Sequence, residues 1–301
     1  MEMKQSQLLH YPIMHREIVE AFALTDRNIF IDCTLGMGGH SLHILDSFDN
    51  TSVVGVDIDM ESLNKAKINL SKFKDRVKYY NIDYMNIFQS IGLLKKKISG
   101  ILVDPGISMY QLKEETRGFS HNINSPLDMR KDRTSERYVE TAYDVVNSYS
   151  ERQLTDIFLD YGDIKRAPIL SKKIIETRLF KKIDTTFKLK EIVEKIMGFP
   201  KKGRSHPAAK VFQALRIYVN RELDGLGEFI NKIPDYLKSG GVIAFLTFHS
   251  IEDRIVKRTL KKLNDSSVIS LIKPYPMTPT DKEIKENSAS APAKLRVAKV
   301  L

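Results

Sequence analysis

The chain has 301 residues, 42% of them apolar, and 48 basic against 38 acidic residues for a net charge of +10. That is enough apolar content for one large domain or two modest ones, and no apolar run approaches the ~20 residues of a bilayer-spanning helix, so no membrane partner is expected. A single cysteine, Cys33, excludes internal disulfides and cysteine-built zinc sites.

The polar start Met1-Glu2-Met3-Lys4-Gln5 has no signal-peptide core, and a cytoplasmic protein is expected. The basic excess suits a polyanionic partner and equally an ordinary lysine-rich surface. It gathers at Lys95-Lys96-Lys97, Lys181-Lys182, Lys201-Lys202-Gly203-Arg204, Lys257-Arg258 and Lys261-Lys262.

After Pro12 the spacing predicts a short amphipathic helix over 13–22. Strand-like runs follow at 29–33, 52–57, 77–82 and 100–103, with helical patterns at 39–48 and 60–71 between the first three. Strands alternating with helices predict a parallel α/β sheet covered on both faces. From about 107 to 206 no comparable strand run occurs. Helical spacing takes over at 137–149, 151–161, 168–180 and 187–197, with Gly162 and Gly198 as stops.

The sheet pattern then resumes. A helix runs from Pro207 through Phe212, Leu215, Val219 and Leu223, and a turn falls at Lys238-Ser239-Gly240-Gly241. A strand from Val242 to Phe248, a helix over 251–264, a loop over 265–293 and a last strand from Leu295 to Val300 complete the chain. The expected division is a discontinuous sheet domain of residues 1–110 and 207–301 around an all-helical insertion of residues 111–206, read as the substrate-recognition part.

The first strand ends in Asp32-Cys33-Thr34-Leu35-Gly36-Met37-Gly38-Gly39-His40-Ser41. Glycines at 36, 38 and 39 remove side chains where a ligand would meet the loop. A dinucleotide loop would want a third glycine at 41, where serine stands, so the pattern fits an adenosine-methionine ligand better than a pyrophosphate. Asp57, at the end of the second strand, is placed to accept ribose hydroxyls, with Asp59 a weaker candidate. Tyr84 either stacks on an adenine or packs at the sheet edge. Asp104-Pro105-Gly106 puts an acid at the carboxyl end of the fourth strand, as in loops that methylate exocyclic amines. An aryl amine is a poor nucleophile, so acceptors that aim its lone pair contribute more than a strong base.

His249 and Ser250 follow the fifth strand. Ser250 with Asp253 reads as a helix cap, and His249 either orients substrate or bonds locally; no second ligand lies at metal-binding spacing. Arg117-Gly118-Phe119-Ser120 and Pro126-Leu127-Asp128-Met129-Arg130 are dense in arginine, aromatic and acidic residues. Gln213, Arg216 and Asn220 lie a turn apart on the helix opened by His206-Pro207, facing either a polyanion or solvent.

Together these loops, with His10-Tyr11-Pro12, His206-Pro207-Ala208, Phe212-Gln213-Ala214-Leu215-Arg216-Ile217, Val219-Asn220, Phe248-His249-Ser250-Ile251-Glu252-Asp253-Arg254 and Lys294-Leu295-Arg296, resemble the bacterial small-subunit ribosomal RNA methyltransferase H family, also called MraW. The resemblance implies a Rossmann-like class I S-adenosylmethionine-dependent methyltransferase sheet with a helical insertion. It implies methylation of the exocyclic N4 of a cytidine in the decoding centre of 16S rRNA, within the small ribosomal subunit. Cofactor contacts would fall on Gly38, Gly39, His40, Asp57, Tyr84, Asp104 and Gln111. Asp104 and His249 would serve catalysis, and Tyr110, Arg117, Phe119, Arg130, His206, Arg216 and Asn220 would hold RNA, with Phe119, Tyr110 or Phe248 stacking on the base.

Three positions depart from the family pattern. Pro105-Gly106-Ile107-Ser108-Met109 replaces Leu-Gly-Val-Ser-Ser, Asn124-Ser125 replaces Asp-Gly, and the tail Asn287-Ser288-Ala289-Ser290-Ala291-Pro292 lacks two arginines. Rival readings are another amine methylase, a nicotinamide-dependent oxidoreductase, and a ribosome-binding module without turnover. A homodimer is left open.

Overall fold

A computed structural model describes residues 12–23, 28–90, 95, 97–134, 139–200 and 205–301. His10-Tyr11, Lys96 and Lys201-Lys202-Gly203-Arg204 lie outside the described residues.

The chain forms two compact units, one running up to Gly106 and again from Gly225, the other Ile107–Asp224. The first is built on a seven-stranded sheet: β1 (Asn28–Asp32), β2 (Thr51–Asp57), β3 (Val77–Asn81), β4 (Ile98–Val103), β5 (Leu237–Thr247), β6 (Ile269–Leu271) and β7 (Lys294–Val300). The order is β3-β2-β1-β4-β5-β7-β6. β1 to β5 are mutually parallel, and β7 runs antiparallel to β5 and β6. All six residues of β4 are buried, as a central strand covered on both faces requires.

The strand order reverses between β1 and β4. In open α/β sheets, ligands bind outside the carboxyl ends of the strands at that reversal. The sheet and its antiparallel last strand make this the Rossmann-like methyltransferase fold that the resemblance implied.

Helices α1 (His15–Phe22), α2 (Gly39–Ser47), α3 (Met60–Asn69) and α4 (Ile87–Ser90) belong to the sheet unit. The helical unit holds α5 (Met109–Lys113), α6 (Ala142–Ser148), α7 (Glu151–Gly162), α8 (Ala167–Phe180), α9 (Thr186–Met197) and α10 (Pro207–Asn220). The chain returns to the sheet unit with α11 (Leu226–Tyr236), α12 (Ser250–Asp265) and α13 (Asp281–Glu286). The helical unit has its own core, in which Leu154, Phe158, Leu170, Ile174, Leu189, Val193, Val211 and Leu215 are buried. Each such side chain contributes about 1.5–3 kcal/mol.

Four segments differ from the sequence reading. The helix from Pro207 ends at Asn220, because Arg221 turns left-handed at φ 48, and residues 226–236 form a separate helix. α10 packs into the helical core, so the contact boundary falls after Asp224 and not before Pro207. The turn at 238–241 is an excursion inside β5: Leu237 pairs with Ile98 and Val242 with Gly100. The stretch 265–293 is not all loop, since it carries β6, α13 and a 3-10 turn at Ser288–Ser290.

Candidate active site at the sheet edge

β1 ends in a loop whose conformation is set by buried acids. Asp32 is 1% exposed and accepts bonds from the Ser41 hydroxyl at 2.7 Å and the Thr34 amide at 3.3 Å. Burial pushes its carboxyl up to about 6, against the lowering effect of the Ser41 bond. Ser41 therefore stands where a third glycine was absent because it pairs with Asp32.

The glycines divide by role. A Cβ at Gly36 would meet open space, and φ there is +53. A Cβ on Gly38 would sit 2.9 Å from Leu70, and one on Gly39 would sit 3.4 Å from Pro12. Of the three, only Gly36 keeps backbone open to a ligand; Gly38 and Gly39 admit helix packing. The Gly38 amide is itself committed to Leu35 O at 2.7 Å.

Asp57, at the end of β2, accepts from the Gly36 amide at 2.7 Å and the Asp59 amide at 2.9 Å. It ties the β1 loop to the next strand, and each carboxylate oxygen has further acceptor capacity. Asp59 caps α3 through the Glu61 amide at 3.1 Å and accepts from the Ser62 hydroxyl, so it is a structural acid. After β3, Asp83 accepts from the Met85 amide at 2.9 Å and starts the 3-10 turn that carries Tyr84. The half-buried Tyr84 ring meets Phe229 edge-on, with centroids 5.2 Å apart.

Asp104 follows β4 and is half-buried. Its amide donates to Thr34 Oγ1 at 2.8 Å, which joins the two loops at the reversal. Thr34 has no sequence signature of this role. Its Oδ2 lies 3.8 Å from His40 Nε2. Burial, then repulsion from His15 and His43, lowers the His40 imidazole to about 3. The contact is thus a neutral imidazole beside a carboxylate, not an ion pair. Gly106, at φ +134, has open space where a Cβ would lie, which explains the glycine in the departing Asp104-Pro105-Gly106 sequence. The fit for S-adenosylmethionine is favourable: open glycine backbone after the adjacent strands β1 and β4, and acids after β2, β3 and β4.

The remaining predicted residues have internal partners. His249 caps α12, accepting from the Glu252 amide at 3.3 Å, and its Nε2 lies 3.0 Å from Glu252 Oε2. The cap is therefore His249 and not Ser250. Asp253 is drawn away by Arg296, whose Nε and Nη2 reach it at 2.7 and 3.0 Å.

In the helical unit, Gln111 and Ser108 form a reciprocal capping box on α5, and Gln111 is 5% exposed. Tyr110, on the same short helix, is half-buried. Arg117 is 5% exposed, bonded to Lys131 O at 2.9 Å and Glu114 at 2.6 Å. Phe119 is a core residue, which removes it as a stacking platform. Arg130 grips Asp128 at 2.9 and 3.0 Å. Burial raises the Asp128 carboxyl, but its bonds from Arg130 and the charges of Arg130 and Arg133 leave it below the ordinary value.

His206 caps α10 through the Ala208 amide and meets Glu194 at 3.0 Å. Arg216 bonds Glu222 at 3.0 Å. Asn220 donates to Met129 O and Arg216 O and accepts from the Lys131 amide, each at 2.7 Å. These residues face neither a polyanion nor solvent. The polar density that singled them out is internal bonding.

Among the described residues, no helix is long and apolar enough to cross a membrane. The model of the MraW methylase family matches residues 7–301. A protein of Persephonella marina named ribosomal RNA small subunit methyltransferase H is 43% identical over 292 residues, covering 96% of this chain and 98% of its own. One of the same name from a Sulfurihydrogenibium species is 42% identical over 294 residues, covering 96% and 98%. A solved rRNA methylase of Streptococcus thermophilus aligns over 98% of this chain and 99% of its own, with 12% identity and a TM-score of 0.44. With the family model spanning nearly the whole chain and relatives above 40% identity end to end, the protein belongs to the MraW methylase family, and its cofactor is S-adenosylmethionine.

Proposed function

We propose that the protein methylates the exocyclic N4 of a cytidine in the decoding centre of 16S rRNA, acting on the small ribosomal subunit in the cytoplasm. The observation that carries the reading is the Asp104 carboxylate, half-buried at the end of β4, anchored through its amide to Thr34 and flanked by a neutral His40. When bound, S-adenosylmethionine supplies a methyl group already activated on a sulfonium.

Asp104 accepts a hydrogen bond from the cytosine amine and turns its lone pair toward the methyl. Such alignment substitutes for a strong base. His40, kept neutral, adds no positive charge that would drain the carboxylate. Asp57 holds the ribose hydroxyls with the acceptor capacity left by its two backbone bonds, and Gly36 and Gly106 leave the backbone bare beside the ligand. Tyr84 offers a ring face to the adenine. Gln111 and His249 are left out of this set because capping employs their side chains.

The helical insertion is read as the RNA-holding part. The exposed cations Lys257, Arg258, Lys261 and Lys262 of α12 add phosphate-binding charge on the sheet unit.

The test is methyl transfer from labelled S-adenosylmethionine to small subunits, naked DNA and protein fractions, followed by nucleoside mass spectrometry. N4-methylcytidine in 16S rRNA is expected. Label on DNA, protein or another base atom overturns the reading. Asp104→Asn should slow transfer by about two orders of magnitude or more while the protein stays folded; full turnover dismisses the role of Asp104.

A further inference from the structure

We propose that the turn joining α8 to α9 is an RNA-stacking tip, on which Phe180 takes an unpaired base of the small-subunit RNA while Lys181 and Lys182 take its phosphates. The inference rests on the rRNA reading and adds a contact that lies on the helical unit alone.

Phe180 is 92% exposed and Leu179 77% exposed, with Phe187 at 40% on the far side of the turn. The core does not need them, because Ile174, Ile183 and Leu189 already fill it. Nor are they displayed by a frayed end. The buried Asn147 side chain donates to Ile183 O at 2.9 Å and accepts from the Ile183 amide at 3.0 Å. Arg178 bonds Val146 O at 2.9 Å, and Thr185 caps α9. A turn clamped on both sides holds its aromatic ring in place before binding, which lowers the ordering cost.

The charge around this patch fixes its partner. Between residues 178 and 190 stand Arg178, Lys181, Lys182, Lys188 and Lys190 against one acid, Asp184. Lys188 is paired with Asp184, and Lys190 lies over the Phe187 ring at 5.6 Å. Lys181 and Lys182 are exposed and make no salt bridge among the described residues. Lysine is depleted in protein–protein interfaces. Exposed aromatics flanked by free cations are the pattern that binds single-stranded nucleic acid, with bases stacked on rings and phosphates on ammonium groups.

The experiment compares full-length Phe180→Ala, Phe180→Tyr and the double variant Lys181→Ala/Lys182→Ala with the wild type, using labelled S-adenosylmethionine and purified small subunits. Phe180→Ala should raise KM for the subunits about tenfold, with the affinity for S-adenosylmethionine and the melting temperature unchanged. Phe180→Tyr, which keeps the ring, should restore KM. The double lysine variant should reduce the slope of log affinity against log salt by about 1. A photo-crosslinker at position 180 should label 16S rRNA. An unchanged KM for Phe180→Ala, or a crosslink to a ribosomal protein, overturns the tip while leaving the methylation reading standing. Absence of transfer by the wild type overturns both.

Discussion

The sheet edge and the loops of the helical unit carry the same residue types, yet use them in opposite ways. At the sheet edge, Gly36 and Gly106 open onto free space, and Asp57 and Asp104 are held there by backbone bonds. In the helical unit, Arg117, Arg130, His206, Arg216 and Asn220 all find partners within the unit. Density of polar motifs thus marks two kinds of constraint: presentation of groups to a ligand, and closure of irregular backbone. A loop without regular structure must satisfy its buried N–H and C=O groups with side chains, and the segment 117–131 does so with Asn220 and Arg117.

Variants can break this contrast. The largest effect is expected from Gly118→Ala. Its Cβ would lie 2.1 Å from Pro126 O at φ +73, so both backbone clash and strain apply. A loss of about 4 kcal/mol, seen as a fall in the denaturant midpoint, is expected; near-wild-type stability would show that the loop is not closed as described. Asn220→Ala comes next. It strands Met129 O, Arg216 O and the Lys131 amide, and should cost about 3 kcal/mol without altering S-adenosylmethionine binding. A variant of wild-type stability that binds RNA poorly would return Asn220 to the substrate surface.

The smallest effect probes the sheet edge. The His40 pKa is lowered to about 3 in the fold against an ordinary 6.5. The native state therefore refuses a proton that the unfolded state accepts, and the stability this confers is present above pH 6.5 and lost as pH falls. Between pH 7 and 5.5 it accounts for about 1 kcal/mol. His40→Gln should remove that portion of the acid sensitivity, read from unfolding curves at the two pH values. An identical pH dependence in the variant would mean that the native imidazole does take up the proton.

Much of the fold was legible because its signals are local. Buried strands such as β4 read as unbroken apolar runs, and the amphipathic spacing of α7 and α9 with Gly162 and Gly198 behind them marked those helices. The split of the Pro207 helix was missed because its stop is Arg221 in a left-handed conformation, which no glycine announces. The division of labour among Gly36, Gly38 and Gly39 was illegible too: each lacks a side chain, and only Leu70 and Pro12, brought in by the fold, distinguish them.

The residue pattern by itself determined the alternation of strands and helices, the helical insertion and the acids at the strand ends, since these depend on periodicities of two and of three to four residues. Tertiary structure alone decided which polar groups are spent on the protein and which remain for a ligand. Asn220 meets Lys131 across 89 positions and Asp253 meets Arg296 across 43. Hydrogen-bond partners are chosen by proximity in space, and proximity over such separations is settled only when the cores close.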